Sequence, residues 1–87
     1  MDKQILIELF TSPTCPYCPK AKKIAERIVK ELPNALLIER DVTINENAEI
    51  SRKYGIQGVP TMIINGTYRI VGVPNSEREV INYLKQI

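Results

Sequence analysis

The chain has no histidine and only two cysteines among its 87 residues. Without histidine there is no Cys–His pair of the kind that activates a protease thiol. A structural zinc site takes four ligands, and two cysteines with no second CxxC fall short of that within one chain. A zinc ion or an iron–sulfur cluster would therefore have to bridge two copies. Long apolar runs are missing as well, since none approaches the ~18 residues that span a bilayer. The amino terminus, Met1-Asp2-Lys3-Gln4 followed by the short apolar run from Ile5 to Phe10, lacks the length and order of an export signal. Neither sign of charge dominates: the net value of +2 is too small to mark a nucleic-acid or membrane partner. No internal repeat, low-complexity tract or linker interrupts the chain. These absences leave a single domain over residues 1–87 that needs no disulfide or metal to hold a core. The expected compartment is the cytosol, where a lone CxxC reads as redox or metal chemistry and not as a structural staple.

Both cysteines fall in one run, Thr14-Cys15-Pro16-Tyr17-Cys18-Pro19. A ring this short stabilises a fold by only about 2 kcal/mol on loop-entropy grounds, so the value of the pair is chemical. It lies between a strand pattern, Ile5–Phe10, and a helix pattern that puts Ala21, Ile24, Ala25, Ile28, Val29 and Leu32 on one stripe. With Cys15 at the helix N-cap, Pro16 takes the first helical position, where a missing N–H costs nothing. The helix dipole and the Tyr17 and Cys18 amides then favour a Cys15 thiolate, holding it below the ordinary thiol value of about 8.5. Cys18, a turn inside, stays a thiol. Cys15 thus attacks a substrate disulfide and Cys18 resolves the mixed disulfide, closing the Cys15–Cys18 bridge.

The remaining pattern predicts a strand over residues 35–42 and a short helix from a Thr43 or Asn45 cap to about Tyr54, stopped by Gly55. A strand over residues 61–64 turns through Asn65-Gly66, a strong hairpin signal, into an antiparallel strand over residues 68–71. Ser76-Glu77-Arg78-Glu79 reads as a capping box opening a last helix that buries Val80, Ile81 and Leu84. The order is βαβαββα, with the first β-α-β unit parallel.

Cys15-Pro16-Tyr17-Cys18, opening a helix after the first strand of such a chain, resembles the thioredoxin-fold superfamily, and CPYC is its form in glutaredoxins. Tyr54-Gly55-Ile56-Gln57-Gly58-Val59-Pro60-Thr61 is similar to the segment carrying that family's cis-proline. The resemblance implies an α/β thioredoxin fold, with a four-stranded mixed sheet and three helices. It implies a cis Val59–Pro60 bond, although from the residues alone a trans proline opening a strand is the ordinary reading. It further implies that Pro16, Tyr17, Val59, Pro60 and Gly72 bind substrate, the Val59 backbone receiving an extended chain and Gly72 leaving it room.

Departures from the glutaredoxin pattern are also visible. Ser12 stands where glutaredoxins carry a lysine for the glutathione carboxylate, Gly58 precedes Val59-Pro60 in place of threonine, and Val73-Pro74-Asn75-Ser76 carries no acid until Glu77. Thioredoxin features are missing too: Thr14 replaces a tryptophan, and Leu9 a buried aspartate, leaving water or Glu8 to handle the Cys18 proton. The chain looks most like the small archaeal thioredoxin/glutaredoxin-like proteins. The implied activity is monomeric, cofactor-free reduction of protein disulfides in cell redox homeostasis, with electrons from a thioredoxin reductase-type flavoprotein. The alternatives are a glutathione-dependent glutaredoxin and, of another class, a metal or iron–sulfur scaffold. The Pro-Tyr spacer suggests a potential less reducing than about −270 mV, toward about −200 to −230 mV.

Overall fold

The computed structural model describes residues 4–86; residues 1–3, read above as part of a non-signal amino terminus, lie outside that range. The elements follow in the order β1 (Ile5–Thr11), α1 (Cys18–Glu31), β2 (Ala35–Asp41), α2 (Asn45–Lys53), β3 (Thr61–Ile64), β4 (Tyr68–Val71) and α3 (Glu77–Lys85). One sheet has the strand order β2-β1-β3-β4. The β1–β2 pair is parallel, as a crossover through α1 requires, whereas β1–β3 and β3–β4 are antiparallel.

As the central strand beside β2 and β3, β1 is covered on both faces, which is why its sequence is a nearly unbroken apolar run. Ile5, Ile7 and Leu9 join Met62 and Ile64 against Ala21, Ile24, Ala25 and Ile28 of α1 and Ile81 and Leu84 of α3. Each large side chain fully buried there contributes about 1.5–3 kcal/mol. The α1 residues Lys20, Lys22, Lys23, Glu26, Arg27 and Lys30 lie off the apolar stripe and are all exposed.

The opposite face of the sheet carries Glu8 and Phe10, and here α2 packs. Tyr54, at the end of α2, meets the Phe10 ring edge-on with centroids 6.0 Å apart. Its hydroxyl donates to Glu8 Oε1 at 2.9 Å, and Arg40 Nε donates to Glu8 Oε2 at 2.7 Å. Arg40 also donates to Asn47 Oδ1 at 3.1 Å, so one buried carboxylate joins β1, β2 and α2. Among the described residues no buried side-chain nitrogen or oxygen lacks a hydrogen-bond partner.

The turns follow from local chemistry. Asn65 and Gly66 have φ values of 52° and 74°, the doubly left-handed turn that matches strand twist, closed by Thr67 N–H donating to Ile64 O at 3.1 Å. Ser76 caps α3, its Oγ accepting from Glu79 N–H at 3.2 Å. The expected caps of α2 are not used. Ile44 is its N-cap, without a side-chain bond, because the Thr43 hydroxyl is spent on Asp41 Oδ1 at 2.6 Å. Asn45 is already inside the first turn.

Candidate functional site

The first strand ends at Thr11, and the loop to α1 is built by Ser12. Its carbonyl accepts from Cys15 N–H at 3.2 Å and its hydroxyl from Thr14 N–H at 3.3 Å, a serine-anchored turn. Cys15 and Cys18 are joined as a disulfide, with Cα atoms 5.4 Å apart, inside the usual range for a bridge. They are unequal in exposure. Cys15 is half-buried, with Pro16 and Tyr17 exposed beside it, whereas Cys18 is 5% exposed.

The helix starts later than expected. Its N-cap is Tyr17, and the first helical bond runs from Ala21 N–H to Tyr17 O at 3.2 Å. An N-cap carbonyl accepts from the amide four residues on; for Cys15 that residue is Pro19, which has no N–H to give. Cys15 therefore precedes the helix by three residues, and Cys18, not Pro16, is the first helical residue. The sulfurs still sit at the positive end of α1, where negative charge is favoured.

The sheet register brings the distant motif to the same end of the molecule. Phe10 pairs with Thr61 and Thr61 with Val71, so Pro60 and Gly72 lie beside the end of β1 from which the cysteine loop springs. The Val59–Pro60 bond is cis. Gly72 N–H donates to Pro60 O at 2.8 Å, and Val59 makes no backbone hydrogen bond to another described residue. Gly72 has φ 79°, and a Cβ placed there would meet nothing within 4 Å. Glycine is thus required by the backbone and leaves open space above it.

Beside the disulfide is an open cavity of about 560 Å³ lined by Thr11, Ser12, Cys15, Cys18, Lys22, Glu39, Asp41, Ile44 and Asn47, among others. Glu39 accepts from Thr11 Oγ1 at 3.2 Å and pairs with Lys22 Nζ at 3.1 Å. The bond and charge from Glu39 raise the Lys22 ammonium above its ordinary value. Hydrogen bonds from the Thr43 hydroxyl and amide hold the Asp41 carboxyl below the usual carboxylate range. Glu39, Asp41 and Ile44 were not singled out from the sequence. The available signal was positional: Thr11 and Asp41 end adjacent parallel strands, and open α/β sheets bind ligands beyond such ends.

No cluster of three or more His, Cys, Asp or Glu side chains able to hold a metal occurs among the described residues, and none of their helices is long and apolar enough to cross a membrane.

Comparison with known proteins agrees with this geometry. The thioredoxin domain family matches residues 3–85. A thioredoxin of Methanocaldococcus jannaschii is 43% identical over 74 residues, 85% of this chain and 86% of that protein. A probable thioredoxin of Archaeoglobus fulgidus is 45% identical over 83 residues, 93% and 90% of the respective chains. The solved structure of a malaria parasite thioredoxin-2 superposes with a TM-score of 0.82 at 22% identity, covering 100% of this chain and 86% of the other. The chain belongs to the thioredoxin family, and through Cys15 and Cys18 it is a thioredoxin-like thiol–disulfide oxidoreductase acting on disulfide-containing proteins.

Proposed function

We propose that this protein is a monomeric, single-domain, cytoplasmic protein-disulfide reductase that takes its electrons from a thioredoxin reductase-type flavoprotein and not from glutathione, with no bound cofactor. Cys15, the more exposed sulfur, attacks the substrate disulfide. Cys18, covered by the helix start, resolves the mixed disulfide. Pro16 and Tyr17 flank the attacking sulfur, and the Val59 backbone, cis-Pro60 and the space over Gly72 receive the substrate chain.

The observation that carries the choice of reductant is the chemistry of the cavity wall. Glutathione presents two carboxylates and one ammonium. The wall offers the carboxylates of Glu39 and Asp41, and its cation, Lys22, is already paired with Glu39. Ser12, in the position where glutaredoxins carry a lysine, is committed to the turn that shapes the cysteine loop. A paired assay tests this reading: insulin reduction driven by a thioredoxin reductase, against reduction of a glutathione mixed disulfide. Turnover with the flavoprotein and at least tenfold poorer turnover with glutathione is the expected result; efficient turnover with glutathione alone overturns it. The same preparation gives the reduction potential by equilibration with a known couple, expected between about −270 and −200 mV.

A further inference from the structure

Closing the Cys15–Cys18 bridge requires the Cys18 thiol to lose a proton, and its burial disfavours the thiolate. Glu8, an acid available in the sequence for this task, is on the wrong side of the sheet. By the alternation of β1, Leu9 faces α1 and the cysteine while Glu8 faces α2, and both Glu8 oxygens are taken, by Tyr54 and by Arg40. Glu39 is differently placed. It pairs with Leu9 across the β1–β2 register, and its bonds to Thr11 and Lys22 put its carboxylate on the α1 side. Lys22 lies one turn beyond Cys18, on the same helix face. Cys15, Cys18, Thr11, Lys22 and Glu39 share one open cavity with enough room and polar lining for solvent.

We infer that Glu39 is the proton acceptor for the resolving step, acting on Cys18 through solvent in this cavity, with Thr11 and Lys22 as its positioning residues. In the mixed disulfide, the Cys18 proton passes to Glu39. The Cys18 thiolate attacks Cys15 Sγ, the Cys15–Cys18 bond forms, and the bond from Cys15 to the substrate sulfur breaks. The substrate leaves as a thiolate and takes up the proton held by Glu39. The substrate is reduced by two electrons and the protein dithiol is oxidised by two. The charged and titratable groups facing Glu39 are Lys22 from α1, Asp41 from its own strand and the two cysteines; Glu26 acts on the same Lys22 ammonium. Thr11 from β1 and Ile44 and Asn47 from the α2 end are uncharged.

The test is stopped-flow reduction of a protein disulfide by pre-reduced wild type and Glu39→Gln between pH 5.5 and 10. The expected result is release of reduced substrate at least fivefold slower in Glu39→Gln at pH 6–7. The deficit should narrow as pH rises above about 9, where even a thiol held above the ordinary value of about 8.5 begins to ionise into bulk solvent, and Glu39→Asp should restore part of the rate. Equal rates at every pH, or one constant deficit across the range, overturn the inference. The proposal rests on the roles of Cys15 and Cys18 given above, which Cys18→Ser tests separately. Failure of that variant to accumulate a covalent adduct with substrate overturns those roles. An adduct forming equally fast with and without Glu39→Gln, alongside a slowed release in the two-cysteine protein, supports the relay.

Discussion

At the scale of single residues, the sheet's two faces assign different work to two similar carboxylates. Glu8 is 4% exposed and holds three elements together; Glu39 stands in the open cavity beside the dithiol. A carboxylate taken out of water is tolerated when its oxygens are bonded and its charge is paired, which Arg40 and Tyr54 do for Glu8. Removing the cation leaves that charge buried without compensation. Arg40→Met is therefore expected to lose about 2–3 kcal/mol of stability, less than the roughly 3–5 kcal/mol for breaking a fully buried pair, because Arg40 is partly solvated. Glu8→Gln is expected to lose less, because the freed guanidinium can turn toward solvent. Urea titration of the two variants measures both, and an equal or reversed order would remove Glu8 from this structural role. Cys15 and Cys18 could be picked out from the residues alone because their spacing is local and their chemistry is unlike that of any other pair here. Glu39 could not: its role depends on which face of a strand it occupies and on the register with β1, neither of which a single sequence states.

At the scale of elements, the same division recurs. Helices and strands whose signals are local were readable from the chain: the apolar stripe of α1, the Asn65-Gly66 hairpin and the Ser76 cap all lie where the residues place them. Helix starts depart from the sequence pattern where a neighbouring group competes for the donor or acceptor. Pro19 cannot donate to the Cys15 carbonyl, which moves the start of α1 to Cys18, and Asp41 captures the Thr43 hydroxyl, which leaves α2 without a side-chain cap. The cis state of Val59–Pro60 came from family resemblance and not from any residue preference. The contrast between the two caps gives a measurable difference. Ser76→Ala is expected to lose about 1 kcal/mol, typical of a lost N-cap, which for a domain of this size is a fall in Tm of about 4–8 °C. Thr43→Ala, removing a hydroxyl that caps nothing, is expected to shift Tm by less than half as much. Calorimetry on both variants checks the pair, and comparable shifts would mean that the Asp41–Thr43 turn supports α2 as strongly as a cap does.

At the scale of the whole molecule, the perturbed ionisations sort its response to pH into an acid and an alkaline limb. On the acid side, Asp41 titrates below its ordinary value because it accepts two bonds from Thr43. A depressed carboxyl contributes stability above its unfolded value of about 3.9 and loses it as pH falls through the folded value. On the alkaline side stand Tyr54, raised by burial and then by the bond and charge of Glu8, and Lys22, raised by Glu39. Both bind protons more tightly folded than unfolded. Their contribution is fully present below the unfolded values, about 10 for tyrosine and 10.4 for lysine, and is lost as pH rises through the folded ones. Tyr54 is the more consequential because its deprotonation would place a second negative charge against the buried Glu8 carboxylate. Tyr54→Phe removes that titration while keeping the ring against Phe10. The variant is expected to be less stable than the wild type at pH 7, having lost the hydrogen bond to Glu8, about 1.5–3 kcal/mol for a bond to a charged acceptor. Its stability should then fall less steeply between pH 10 and 12, so the two curves converge. Urea titrations at pH 7, 10 and 11.5 read the convergence directly; parallel curves would mean that the alkaline limb is set by Lys22 and the remaining surface cations and not by the phenol that joins α2 to the sheet.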